Sequence, residues 1–324
     1  MTAGRWCSYV WRMSPASSRP QAAAALVDTT EHLSGTHTGR RRAHARGVCY
    51  DAELTPSGEA GRLTAAAHLQ SDPVRATVRF SHTGADPQRL DGERAARGFA
   101  TRFHLPDGSA TDLIAVNPDR FVASTSEQFL DLLQAAERDP ATGKPDPAKI
   151  RAYAELHPEA GAALAAVVGV CVPSSYATTE YWAIHAFLRR DADGAAHPVK
   201  YRWEPDSGIQ HTDPAEAASW SPRHLTEELT ERLADGPVTF TLKVQPGEEG
   251  DPTDDPTRTW PAGRREITAG RSRITAEVAD QQYWEAQSFD PNPLTPGIEA
   301  SDDPVPAARS AVYAVSYDRR SHQR

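Results

Sequence analysis

Three cysteines in 324 residues, Cys7, Cys49 and Cys171, are too few, too far apart and odd in number for a disulfide framework or a C-x-x-C zinc site. A reducing, cytoplasmic setting fits that usage best. Positive charge is also short: 35 Lys and Arg face 44 Asp and Glu, a net of −9, and the one compact basic run is Arg40-Arg41-Arg42. Neither nucleic acid nor an anionic membrane surface is therefore an expected partner. No apolar run reaches the roughly 20 residues of a membrane span. The longest, Ala160 to Val172, is interrupted by Gly161 and Gly169 and reads as a buried helix or strand. Also missing are G-x-G-x-x-G, a Walker loop, H-E-x-x-H and G-x-S-x-G, which sets aside the chemistries those motifs carry.

What remains is a chain of 35.2 kDa, long enough to bury a large core without staples. Glycine and proline concentrate at 139–147, 246–257 and 289–306, which read as loops, and none divides the chain into halves of different composition. Residues 1–20 are expected to be a disordered tail and residues 21–324 a single domain. Val74, Ala76, Val78 and Phe80 alternate with Arg75, Thr77, Arg79 and Ser81, a period of two that predicts a strand. Similar runs lie at 181–188, 199–203 and 238–244. Helices are predicted after Thr125, whose pairing with Gln128 resembles a capping box, from Pro147 towards His157, from Ser221-Pro222 to Gly236, and over about 305–317. Strands of this spacing point to an α+β protein built on an antiparallel sheet or barrel.

Chemistry is harder to locate, because the twelve histidines are scattered and an isolated histidine is more often structural than catalytic. Arg309 and Tyr313 stand i, i+4 and would share a helical face. An adjacent guanidinium favours the phenolate form, and a ferric ion would favour it further, so the pair could ligate haem iron. An ordinary Arg–Tyr contact on a terminal helix explains the same spacing. Alternation puts Arg79 and Ser81 on one face of their strand, which could be solvent or a cavity.

Four stretches together resemble the haem catalases in order and spacing. Arg41-Arg42-Ala43-His44-Ala45-Arg46-Gly47 is similar to their distal-histidine segment, Val78-Arg79-Phe80-Ser81 with Arg97-Gly98-Phe99-Ala100 to their V-R-F-S…R-G-F-A pair, Asp112-Leu113-Ile114 with Phe129 to their D-L-V…F stretch, and Arg309-x-x-x-Tyr313 to their proximal R-x-x-x-Y. The long terminal extensions of typical catalases have no counterpart, so the chain resembles the short catalase-related peroxidases, whose ending is like 302–316. This resemblance implies a catalase-like antiparallel β-barrel with surrounding helices and one haem b (iron protoporphyrin IX) buried in it. His44 would be the distal acid–base residue and Ser81 would fix its imidazole. Arg41 and Arg79 would pair with haem propionates, and Phe129 would stack on the haem face. Tyr313 would ligate the iron, with Arg309 holding it deprotonated. The implied activity is reduction of organic peroxides or hydrogen peroxide through a ferryl intermediate at the expense of a reducing donor, in peroxide detoxification. A homodimer is the implied assembly, and bound NADPH is not expected.

One departure bears on the reaction. Where typical catalases read D-L-V-G-N-N-T-P, this chain reads Asp112-Leu113-Ile114-Ala115-Val116-Asn117-Pro118, so Val116 stands at the second distal position and Asn117 is displaced by one. In a strand that shift turns the side chain to the opposite face, and disproportionation of hydrogen peroxide is expected to be weak at most. A true catalase, with Asn117 reaching the pocket through a bulge, and a non-catalytic haem-binding barrel remain the alternatives. A peroxide-rearranging haem enzyme is a third. Cys49, five residues beyond His44, is either redox-active or a buried structural thiol.

Overall fold

The period-two pattern of the middle of the chain closes on itself. In the computed structural model, which describes residues 15–139 and 141–322, eight antiparallel strands form a barrel. They are β1 (Gly47–Pro56), β2 (Val74–His82), β3 (Arg97–His104), β4 (Ala110–Val116), β5 (Tyr181–Arg190), β6 (Ala196–Pro205), β7 (Val238–Pro246) and β8 (Ile267–Glu277). Their spatial order is β5-β4-β3-β2-β1-β8-β7-β6, with β6 returning to β5; the seam between β4 and β5 is the single pair Val116↔Trp182. A short strand, β9 (Ile298–Ala300), lies on the outer part of β5. Of the expected tail, residues 1–14 lie outside the described residues, while Pro15 opens helix α1 (Pro15–Ser34).

Alternation decides what fills the barrel. On β7, Val238, Phe240, Leu242 and Val244 point inward and are buried, and on β6 Val199, Tyr201 and Trp203 do the same between charged neighbours. Phe80, Phe99, Tyr181, Trp203 and Phe240 meet at the centre, with Phe99 4.8 Å from Phe80, 4.9 Å from Phe240 and 5.1 Å from Trp203. Each such ring contributes roughly 2–3 kcal/mol by leaving water. Aromatic side chains thus plug the interior where a flat cofactor was expected, so any slot for one lies on the outer wall, between barrel and helices.

That wall is covered by the ends of the chain. The predicted helices form as α2 (Ser126–Ala135), α3 (Pro147–Leu156), α5 (His224–Asp235) and the C-terminal α7 (Pro304–Ser321). Thr125 accepts from the Gln128 amide as a cap, but the Gln128 carboxamide reaches back to Ser124 rather than to Thr125. The apolar run after Ala160 is helix α4 (Ala160–Val168), and it is only partly buried: Ala160 and Ala163 are covered while Val168 is 75 % exposed. Alanines hold little apolar area to bury, and α4 sits against α2 and α3 outside the barrel. Helix α1 is tied to α7 by Arg319, which pairs with Glu31 at 2.7 Å and Asp28 at 2.6 Å. A one-and-a-half-turn helix, α6 (Gln281–Ala286), lies beside β1.

Candidate active site

On the outer face of the wall, cross-strand pairing aligns Gly47, Ser81, Gly98 and Val116 in one row. Residues paired across a ladder share a face, so this row and the next, Cys49, Arg79, Ala100 and Ile114, form the floor of the site. The loop before β1 brings His44 onto it. Its backbone is left-handed, with φ +53°, a conformation few residues other than glycine adopt without support. The support is a pair of ladder-like bonds, His44 N–H to the Thr83 carbonyl and Ala45 N–H to that of Gly84, both 3.1 Å.

The His44 imidazole is fixed at one nitrogen. Nδ1 lies 2.8 Å from Ser81 Oγ, and the Arg79 guanidinium donates to the His44 carbonyl at 3.1 Å. Gly98 makes the approach possible, since a Cβ there would stand 2.6 Å from Ser81 Oγ and 2.7 Å from His44 Nδ1. Burial, then the charges of Arg79, Arg309 and Arg41, push the His44 pKa down to about 3. The imidazole is neutral at neutral pH, and in the tautomer whose Nδ1–H donates to the hydroxyl, Nε2 is a proton acceptor.

Joined to the histidine loop is α7, begun by Asp303 as its N-cap and Pro304 in its first turn. Arg309 donates to the Tyr313 hydroxyl from Nε at 3.0 Å and from Nη2 at 2.7 Å. Its third nitrogen, Nη1, lies 2.8 Å from His185 Nε2, and His185 Nδ1 lies 2.7 Å from Asp303 Oδ2. A guanidinium only donates and a carboxylate only accepts, so the His185 proton sits on Nδ1 and the chain reads Asp303←His185←Arg309→Tyr313. Burial lowers the pKa of His185, which keeps the ring in that neutral form. The spacing predicted that Arg309 and Tyr313 meet; the relay that anchors them was not foreseen. His185 falls where the β5–β6 register slips between Ala183 and Phe187, and such a bulge turns a side chain out of the alternation.

The two cations expected to meet propionates are held by one acid that the sequence did not flag. Arg41 Nη1 and Arg79 Nε reach the two oxygens of Glu285, on α6, at 2.7 and 2.8 Å. Arg41 also donates to the Gln287 carbonyl at 2.7 Å, and burial with Arg79 lowers its pKa to about 9. Arg42 N–H donates to Ser316 Oγ at 3.2 Å, joining the histidine loop directly to α7.

Phe129, whose ring lies 5.2 Å from Phe121, packs against a satellite cluster of Leu132, Tyr153 and Ala160, the packing its helical stripe allowed. Asn117 lies just past the end of β4, and its Oδ1 accepts from the Arg97 backbone N–H at 2.7 Å, while Val116 occupies the row beside Gly98. Cys49 is buried and its thiol is pushed up to about 12, mainly by that burial, so it is a packing group rather than a reactive thiolate.

With the histidine loop bonded to the tyrosine helix through Arg42 and Ser316, and the Arg309 charge reaching His44, kinship can be read. A family model described as Catalase matches residues 21–322. The chain belongs to the catalase family. It is 37 % identical over 297 residues to a catalase-related peroxidase of Mycolicibacterium paratuberculosis, covering 91 % of this chain and 93 % of that one. It is 31 % identical to one of Synechococcus elongatus, over 91 % and 88 %. A catalase of Pseudomonas aeruginosa is 28 % identical and is matched over only 58 % of its length. Among solved structures, catalase A of Saccharomyces cerevisiae superposes with a TM-score of 0.79 at 22 % identity, over 91 % of this chain and 64 % of that one. A bacterial catalase gives 0.78 at 23 % over 92 % and 60 %, so the fold agrees while this chain spans well under the length of either.

Haem is the group that this family and fold imply, and the residues present suit it. Arg41 and Arg79 share one carboxylate between two guanidinium groups, leaving one positive charge for a further acid. A phenol oxygen that accepts two N–H bonds from one guanidinium is a hard oxygen donor suited to ferric iron.

Proposed function

We propose that the chain is a haem peroxidase that binds haem b, takes a peroxide as oxidant and is returned to rest by a reducing donor. What carries the reading is the neutral, Ser81-bound imidazole of His44 together with the Arg309-held phenol of Tyr313 on the helix its loop is bonded to. The full-length similarity to catalase-related peroxidases supports it.

The bound haem would supply the iron on which peroxide is cleaved and which stores the oxidising equivalents. Everything else is done by this chain. Tyr313 would ligate the metal through its hydroxyl oxygen, with the two Arg309 donors stabilising the charge on that oxygen and the His185–Asp303 pair holding Arg309 in place. Arg79 and Arg41 would receive propionates by charge-assisted bonds. His44 Nε2 would take the proton from one peroxide oxygen and deliver it to the departing one, general acid–base work worth typically ~10²–10⁴ in rate. Ser81, accepting from Nδ1–H, keeps Nε2 as the acceptor.

Disproportionation of hydrogen peroxide needs a second oriented group beside the imidazole. Val116 has no polar atom, and Asn117 is engaged with the Arg97 backbone. Oxygen release from millimolar peroxide should therefore be slow beside peroxide-driven oxidation of a dye.

Two variants test the assignment. His44→Ala should retain the visible absorption of bound ferric haem and lose dye oxidation by at least 100-fold. Tyr313→Phe should lose the haem spectrum itself. A His44→Ala protein that oxidises dye at the original rate would remove the imidazole from the mechanism, and a Tyr313→Phe protein with an unchanged spectrum would remove the phenol from the iron.

A further inference from the structure

A donor too large to enter the space between barrel wall and helices needs a conductor into it, and helix α6 offers one. Its Gln281 carboxamide bonds both backbone groups of Cys49, donating at 2.7 Å and accepting at 3.0 Å, which pins the helix to the floor of the site. Trp284 packs against the buried cluster of Cys49, Ile114, Val278 and Phe289, and the first two belong to the floor row that also holds Arg79. The Trp284 carbonyl lies 3.5 Å from Arg41 Nη2, and the next residue, Glu285, holds Arg41 and Arg79 together.

The outer end of this path reaches water. Tyr283 meets the Trp284 ring edge-on, with centroids 5.4 Å apart, and is 54 % exposed. A surface phenol, a half-buried indole and the floor of the site therefore follow one another in contact, and phenol and indole are side chains that give up a single electron readily. Among the described residues the other exposed tyrosine is Tyr317, on α7. Its ring meets a guanidinium instead of a second ring, with Arg320 Cζ 5.2 Å from the centroid.

We propose that Tyr283 is the surface point at which bulky one-electron donors, electron-rich phenols or aromatic amines, are oxidised, with Trp284 carrying the electron inward to the haem; this rests on the haem peroxidase reading. In each round Tyr283 sends one electron through Trp284 and its phenolic proton to solvent, then recovers an electron and a proton from the donor. The site takes up one proton from solvent with each electron. Two rounds match the two oxidising equivalents of one peroxide, so that ROOH and two donors DH give ROH, water and two D radicals.

The test uses the haem-loaded full chain. Mixed with hydrogen peroxide and frozen at once, it should show a tyrosyl signal by electron paramagnetic resonance, and a nitroso spin trap present during mixing should be found on Tyr283 by peptide mass spectrometry. Tyr283→Phe should lose both, and with them the oxidation of a phenol coupled to dextran, while its visible haem spectrum and the rate at which peroxide changes that spectrum stay the same. Trp284→Leu should keep the phenol in place and still lose the adduct. Trap found on Tyr317 or elsewhere in place of Tyr283, or dextran-phenol oxidation unchanged in Tyr283→Phe, overturns the proposal and leaves the peroxidase reading standing. A chain with no haem spectrum, or one that peroxide does not change, overturns that reading and this proposal with it.

Discussion

Replacing Gly98 with alanine adds one carbon and removes no atom of the residues assigned a chemical task. Its Cβ would stand 2.6 Å from Ser81 Oγ, 2.7 Å from His44 Nδ1 and 2.8 Å from His44 Cε1. Ordinary contact begins near 3.4 Å, so imidazole and hydroxyl must retreat by about 0.7 Å, and the His44–Ser81 bond of 2.8 Å sits directly in the path. Overpacking of this kind costs about 1–3 kcal/mol of stability. The effect on rate is larger, since a misplacement near 1 Å costs on the order of 100-fold. Gly98→Ala is thus expected to bind haem with an unaltered visible spectrum, to melt a few degrees lower, and to lose about 100-fold in kcat/KM for peroxide in a dye-oxidation assay. Removing Ser81 Oγ as well should then cost little more, because the bond it made is already broken. Wild-type kcat/KM in Gly98→Ala, or strict additivity of the two substitutions, would refute the geometry on which the mechanism rests.

The pH dependence follows from the buried histidines. With His44 held at about 3, the imidazole stays neutral through the physiological range, and kcat/KM for peroxide should show no break near pH ~6.5, the ordinary histidine value; a break there would mean that the ring is solvated. Stability behaves differently. His44 and His82 are neutral in the folded chain down to about 3 and about 2 but take up protons in the unfolded chain below ~6.5. Their contribution is complete above that value and is lost as pH falls, by up to about 1.4 kcal/mol per pH unit for each, measurable by urea titration across that range. Asp303→Ala removes the α7 cap and leaves His185 Nδ1 buried and unpaired, for a loss of about 2–3 kcal/mol and weaker haem retention. Thermal unfolding and haem titration would show both, and an unchanged haem affinity would detach the relay from Tyr313.

Local pattern was enough for much of this molecule. Alternation announced β2, β5, β6 and β7, capping and proline signals placed α2, α3, α5 and α7 to within a few residues, and motif order named His44, Ser81, Arg79 and Tyr313. These features are written in side-chain period or in short contiguous runs, which is the form in which a sequence carries structural information. β8 and the exposure of α4 were not written that way. A run such as Ile267–Glu277 with Gly270 and three charges has little alternation to read, and burial of an alanine helix depends on what lies against it.

Tertiary structure alone decided the rest. Glu285 lies 206 residues from Arg79, His185 124 residues from Arg309 and 118 from Asp303, and no spacing rule links groups that far apart. Closure of the barrel, with its aromatic plug, pushed the site to the outer wall and aligned Gly98 beneath His44. The order of residues named the candidate groups; which of them share a space, which stay neutral and which acid holds two arginines at once were settled by packing, because distance and burial, not residue type, set those interactions.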